Sequence, residues 1–125
     1  MTVAADVRRV LIQAQLPGVA TANIHALRIP PNDWSDTQPI ILITEIRDDE
    51  SVYGNDEPNV LTQQAQVQIY YPLQYAADTD QLQLQLKQVM RQAGYRCYSG
   101  TGLFDTPDQQ SMMTTLKFNH TKEFL

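Results

Sequence analysis

Cysteine, histidine and basic charge are all scarce in this chain, and each scarcity closes a class of function. The single cysteine, Cys97, excludes an internal disulfide and any multi-cysteine zinc centre. It suits a reducing compartment. Two histidines, His25 and His120, are too few for a histidine-rich metal centre, and neither lies in a ligand motif. Nine Lys and Arg face fourteen Asp and Glu, giving a formal net charge of -5 and a pI near 4.7. A nucleic-acid or anionic-membrane surface needs a dense basic patch, yet Arg8-Arg9 is the sole adjacent basic pair. No apolar run approaches the roughly 20 residues of a membrane span. The first residues also lack the apolar core of a signal peptide. These absences lead us to expect a soluble protein made in a cytoplasm, with no membrane partner.

What is present fits one domain, residues 1–125, with a modest core. In "TVAADVRRVLIQAQLPG", Val3, Val7, Val10, Leu11 and Ala14 recur at helical spacing, while Arg8, Arg9 and Gln13 fall outside. Thr2 is a candidate N-cap, and Pro17-Gly18 closes the segment. "ANIHALRI" (22–29) is a short β-like run stopped by Pro30 and Pro31. "IILITEI" (40–46) is β-branched and reads as a strand. "QAQVQIYY" (64–71) places Ala65, Val67, Ile69 and Tyr71 on one face and glutamines on the other.

"DTDQLQLQLKQVMRQAGY" (78–95) alternates briefly like a strand, but Leu82, Leu86, Val89, Met90 and Ala93 keep helical spacing. Asp78 or Asp80 caps it, Gly94 ends it, and Leu84 lies at the edge of the apolar stripe. "YRCYSG" (95–100) and "SMMTTLKFNH" (111–120) read as strands, joined as a hairpin through "DTPDQQ" (105–110). The order α-β-β-β-α-β-β predicts an α+β domain: a mainly antiparallel sheet of about five strands with two helices on one face.

One stretch stands apart. "EIRDDESVYGNDEPN" (45–59) holds six of the fourteen carboxylates: Glu45, Asp48, Asp49, Glu50, Asp56 and Glu57. It fails as a calcium loop, because a frame from Asp48 puts Val52 fifth and Tyr53 sixth, where an oxygen ligand and glycine belong. A frame from Asp49 puts Gly54 sixth but Tyr53 fifth. A catalytic carboxylate pair needs enclosure to separate the two pKa values, and a polar segment with Gly54, Asn55 and Pro58 gives none. Residues 47–60 are therefore expected to form a long exposed connection between antiparallel strands. Asp48, Asp49, Glu50, Tyr53, Gly54, Asn55, Asp56 and Glu57 form its candidate interaction surface.

Catalytic readings lack their components. Cys97 reads as a small hydrophobe on a strand, with nothing flanking it to activate a thiol. "SGTG" (99–102) has no following lysine or helix and is no phosphate loop. Trp34, Tyr70, Tyr71, Tyr75, Tyr95 and Tyr98 read as core or sheet surface rather than a base-stacking platform. Neither enzyme activity nor a cofactor or metal is expected.

In order along the chain, "PIILITEI", a polar segment ending near "YGND", "QVQIYYP", "LQLQLKQVMRQAGY", "LFDTPDQQ" and "TTLKFNH" together resemble a known assembly family. This is the family of small neck and tail-joining proteins of long-tailed phages of Gram-positive bacteria, related in fold to tail terminators. The likeness spans roughly residues 1–122. It implies an α/β subunit that forms a hexameric ring on a completed tail tube, stops tube growth and joins the head. The implied partners are further copies of the chain, the tail tube protein and a head-completion or connector protein. DNA passes through without being specifically bound, and the location is the virion neck after assembly in the host cytoplasm. The reading set beside it is a small cytoplasmic domain that binds a ligand or regulator in a pocket lined by Trp34 and tyrosines.

Overall fold

The computed structural model describes residues 2–16, 18–29, 38–54, 57–72, 79–105 and 111–123; along 47–54, 57–62, 104–105, 111 and 121–123 it describes the backbone. Helix α1 spans Val3–Ala14, followed by a single 3-10 turn at Thr21–Asn23 and strand β1 at Ile24–Ala26. Strands β2 (Ile40–Gly54) and β3 (Glu57–Pro72) form a long hairpin. Helix α2 (Thr79–Gln92), β4 (Arg96–Gly100), the two-residue β5 (Phe104–Asp105) and β6 (Ser111–Glu123) complete the chain. The predicted α+β class and element order hold.

The sheet runs β1-β2-β3-β6-β4, with β5 attached to β6. Only β1–β2 is parallel among these pairs, with Ile24 opposite Ile41 and Ala26 opposite Ile43. The expected hairpin of the last two long strands is present, since β4 pairs antiparallel with β6. Its connection differs, because β5 interrupts it with a second short pairing, Phe104 opposite Met113.

Period-2 alternation decides which face is covered. Ile41 and Ile43 of β2, Ala65, Val67, Ile69 and Tyr71 of β3, and Leu116 and Phe118 of β6 are buried together with α1 and α2. From the helices come Val3, Ala4, Val7 and Leu11, then Leu82, Leu86 and Met90. Val10, Val89 and Ala93 pack partly against the same cluster. The expected stripe on α1 is shifted at one position: Ala14 is exposed and Ala4 is buried instead. The helix ends at Ala14, and Gln15 adopts a left-handed backbone (φ 53°) before Pro17-Gly18 is reached. Each large aliphatic side chain fully buried here contributes about 1.5–3 kcal/mol of transfer free energy.

The start of α1 is secured from two places. The Thr2 Oγ1 accepts a hydrogen bond from the Ala5 N–H at 3.1 Å, the expected cap. The Glu45 Oε1, from β2, accepts one from the Ala4 N–H at 3.1 Å. One of the six clustered carboxylates thus serves a helix N-terminus, where negative charge is favoured.

Gly94 ends α2 with φ +92°, a left-handed position that suits glycine. A Cβ there would lie 3.2 Å from the Cδ2 of His120. The chain therefore turns tightly enough to bring Tyr95 under the helices.

Candidate functional site: the long hairpin arm and the polar network

The acidic segment is not the long connection that its composition predicts. Its backbone is paired strand: Asp48 lies opposite Gln63, Asp49 opposite Thr62, Glu50 opposite Leu61, and Tyr53 opposite Pro58. Gly54 lies opposite Glu57. Asn55 and Asp56 fall outside the described residues. The sequence arithmetic leaves two residues between paired ends, and Asn-Asp next to glycine is chemistry suited to a tight turn. Ser51-Val52-Tyr53 and Val60-Leu61-Thr62 supply β-formers on both sides. Carboxylate density masked that pattern.

The result is an arm. On β2's outer side β1 reaches only to the register of Ile43, with one further bond from the Leu27 N–H to the Ile43 carbonyl at 2.7 Å. Beyond it, among the described residues, β2 has a strand on one side alone. Alongside β3, strand β6 continues to Glu123, opposite Val60.

Two irregularities mark the base of the arm. Between Glu45 and Arg47 the β2–β3 register slips by one residue, so Ile46 is the extra residue of a bulge. Bulges re-aim side chains, and Ile46 is 44% exposed. Just past the end of β1, Leu27 takes a left-handed backbone (φ 75°) and is 60% exposed. A non-glycine residue there is strained by roughly 1–2 kcal/mol.

Sequence reasoning missed a polar network on the helix side. The Tyr95 hydroxyl donates to Asp6 Oδ2 at 2.8 Å, and Arg9 donates to Asp6 Oδ1 at 2.7 Å. The Tyr95 ring stacks on His120 with centroids 4.5 Å apart. His120 Nδ1 lies 3.1 Å from Gln63 Oε1. Burial alone raises the Asp6 carboxyl, but hydrogen bonds from Arg9 and Tyr95 and the charges of Arg9 and His120 outweigh it and hold it below its ordinary value. Burial and then the Asp6 carboxylate push the Tyr95 hydroxyl well above its ordinary value. A phenol so raised is no nucleophile at neutral pH. The network is a fastening between α1, the α2–β4 junction and β6, and 89 residues of sequence separate Tyr95 from Asp6. Long-range pairing of that kind leaves no local signal.

The sheet face away from the helices carries the glutamines expected there. Gln64, Gln66 and Gln68 are half-buried, with Lys117 opposite Gln66 and Thr115 opposite Gln68. Tyr98 is exposed and donates to Gln64 Oε1 at 3.3 Å. Cys97 is corrected: it is exposed rather than a packed hydrophobe, with its Sγ 3.4 Å from the Ser99 carbonyl. The bulge in β4 between Cys97 and Ser99 is where its register departs from simple alternation.

Of the proposed tyrosine-lined pocket, Trp34 and Tyr75 lie outside the described residues. Tyr71 is 1% exposed and donates to the Thr79 carbonyl at 3.3 Å, so its hydroxyl serves the start of α2. Among the described residues no group of three His, Cys, Asp or Glu could hold a metal ion. No described helix is long and apolar enough to cross a membrane.

A family model described as "Protein of unknown function (DUF806)" matches residues 6–123, nearly the whole chain. No curated protein matches it.

Proposed function

We propose that this chain, which belongs to the DUF806 family, is a structural subunit of the head–tail neck of a long-tailed phage. In this reading it is a tail terminator or tail-to-head joining protein that caps the tail tube as a ring, with six copies as the expected number. The observation that carries the reading is the inequality of the sheet's two flanks. One ends in β1 and the projecting β2–β3 arm, and the other in the short strand β4 under α2. A closed ring of identical subunits needs two different patches that meet head to tail, and this domain offers two unlike flanks. The ordered resemblance to neck proteins supplies the setting.

The remaining features are compatible with a conduit. A net charge of -5 gives no reason for passing DNA to be held. The ring's two rims would meet the tail tube protein and a head-completion protein, and no step of that task requires catalysis.

The test is genetic and visual. In a phage encoding this chain, disrupting its gene should leave heads and tails unjoined, with tubes of uncontrolled length. An antibody to the chain should label the neck of wild-type particles. Infectious particles that form normally without the chain would refute the proposal. Cys97→Ser should leave assembly intact, because the thiol is exposed and takes no part.

A further inference from the structure

We propose that the first turn of α1 is a latch on the root of the β2–β3 arm, so that the start of the helix and the arm open and close as one unit. The latch works within a single copy of the chain and stands or falls separately from the reading above.

It sits where apolar packing gives out. On the sheet face under the helices, the row Ile43, Val67 and Leu116 is followed by Glu45, Ala65 and Phe118, and then by Gln63 and His120. Ile43, Val67, Leu116, Ala65 and Phe118 belong to the core, whereas Gln63 is buried as a polar side chain. Between Glu45 and Arg47 the β2–β3 ladder is interrupted by Ile46, and a bulge leaves pairing locally disrupted. Strand β1 gives no support there, since its last paired residue, Ala26, lies opposite Ile43. At this level the described side chains tie the arm to the helices through hydrogen bonds rather than apolar burial.

Two ties flank the bulge, one from each strand of the hairpin. From β2, just before the bulge, Glu45 Oε1 accepts the Ala4 N–H at 3.1 Å. From β3, just beyond it, Gln63 Oε1 lies 3.1 Å from His120 Nδ1. The His120 ring stacks on Tyr95 with centroids 4.5 Å apart, and the Tyr95 hydroxyl donates to Asp6 Oδ2 at 2.8 Å. Both ties end in the first turn of α1, at Ala4 and at Asp6. Loss of one loosens the turn that anchors the other. Segments held by few apolar contacts and partly exposed hydrogen bonds open locally before a domain unfolds, so the helix start and the arm form a unit less stable than the sheet centre. Such coupling is reciprocal. Whatever holds the arm orders the start of α1, and whatever holds the helix start steadies the arm.

Hydrogen exchange of the full chain, read by mass spectrometry on peptides covering 2–11, 46–54, 57–63 and the sheet centre at 65–71, tests the latch. Glu45 is an exposed side chain, so Glu45→Ala leaves the core intact. Relative to the sheet centre, it should speed exchange roughly three- to tenfold in 2–11 and also in 57–63, a segment that Glu45 does not pair with. Gln63→Ala should speed exchange in 2–11 by a similar factor, although His120 and Tyr95 stand between Gln63 and α1. Glu45→Gln keeps an acceptor for the Ala4 N–H and should stay within about twofold of wild type. Acceleration in Glu45→Ala that is confined to 2–11 overturns the latch. Equal acceleration of every segment overturns it too, as does an arm whose amides are already unprotected in the wild type.

Discussion

Replacing Tyr95 by Phe removes one oxygen from the polar network and nothing from the packing. The ring is 1% exposed and stacked on His120, so Phe keeps its volume and its stack. What disappears is the hydrogen bond to Asp6 Oδ2 at 2.8 Å. A hydrogen bond to a charged acceptor contributes about 1.5–3 kcal/mol. Asp6 keeps the Arg9 bond, and its side chain is 30% exposed, so water replaces part of the loss. We expect a destabilisation of about 1–2 kcal/mol at neutral pH, or a fall of about 4–8 °C in Tm for a domain of this size. The pH dependence makes the test specific. Asp6 titrates below its ordinary 3.8 in the folded state, so its stabilisation is complete above that value and is lost as pH falls through the lower folded one. Tyr95 titrates above its ordinary 10.0, so its contribution is complete below that value and is lost as pH rises beyond it. The difference between wild type and Tyr95→Phe, from urea melts at a series of pH values, should be flat from about pH 5 to about pH 9 and shrink on both sides. A double-mutant cycle with Asp6→Asn should give a coupling of about 1 kcal/mol or more. A difference that ignores pH, or a coupling near zero, would show that the Tyr95–Asp6 pair fastens nothing.

Leu86→Ala should cost about 2–5 kcal/mol in chemical denaturation, because Leu86 is fully buried between α2 and the sheet. The Gly94→Ala variant should lose at least about 1 kcal/mol, since alanine must take φ +92° and its Cβ meets His120; melting curves check this. Replacing Asp48, Asp49 and Glu50 by Ser should move Tm little, as charges of this kind contribute little singly, but should impair particle assembly in a complementation assay. If that triple variant assembles normally, the arm carboxylates merely solvate a hairpin.

The sequence by itself determined every element whose cause is local. Alternation in "QAQVQIYY" fixes which face of β3 is buried, because side chains of a strand alternate with period 2. The spacing of Leu82, Leu86 and Met90 outweighs the "QLQLQL" alternation, because these good helix formers keep one apolar stripe for three turns. Thr2 and Gly94 announce the helix ends through capping chemistry that acts within a few residues.

Only the tertiary structure decided what depends on residues far apart. The acidic segment became an arm because two β-forming runs meet across a two-residue gap, a fact that carboxylate density concealed. Glu45 left the acidic cluster to cap α1, 41 positions away. Asp6 and Tyr95 became partners because the sheet order carries β6 between β3 and β4 and brings the end of α2 beneath α1. The bulge at Ile46 came from register, which is set by the pairing of strands and not by either strand's own residues. Periodicity reports a residue's nearest neighbours, whereas the surfaces we assign to assembly arise where the sheet's order brings distant segments side by side.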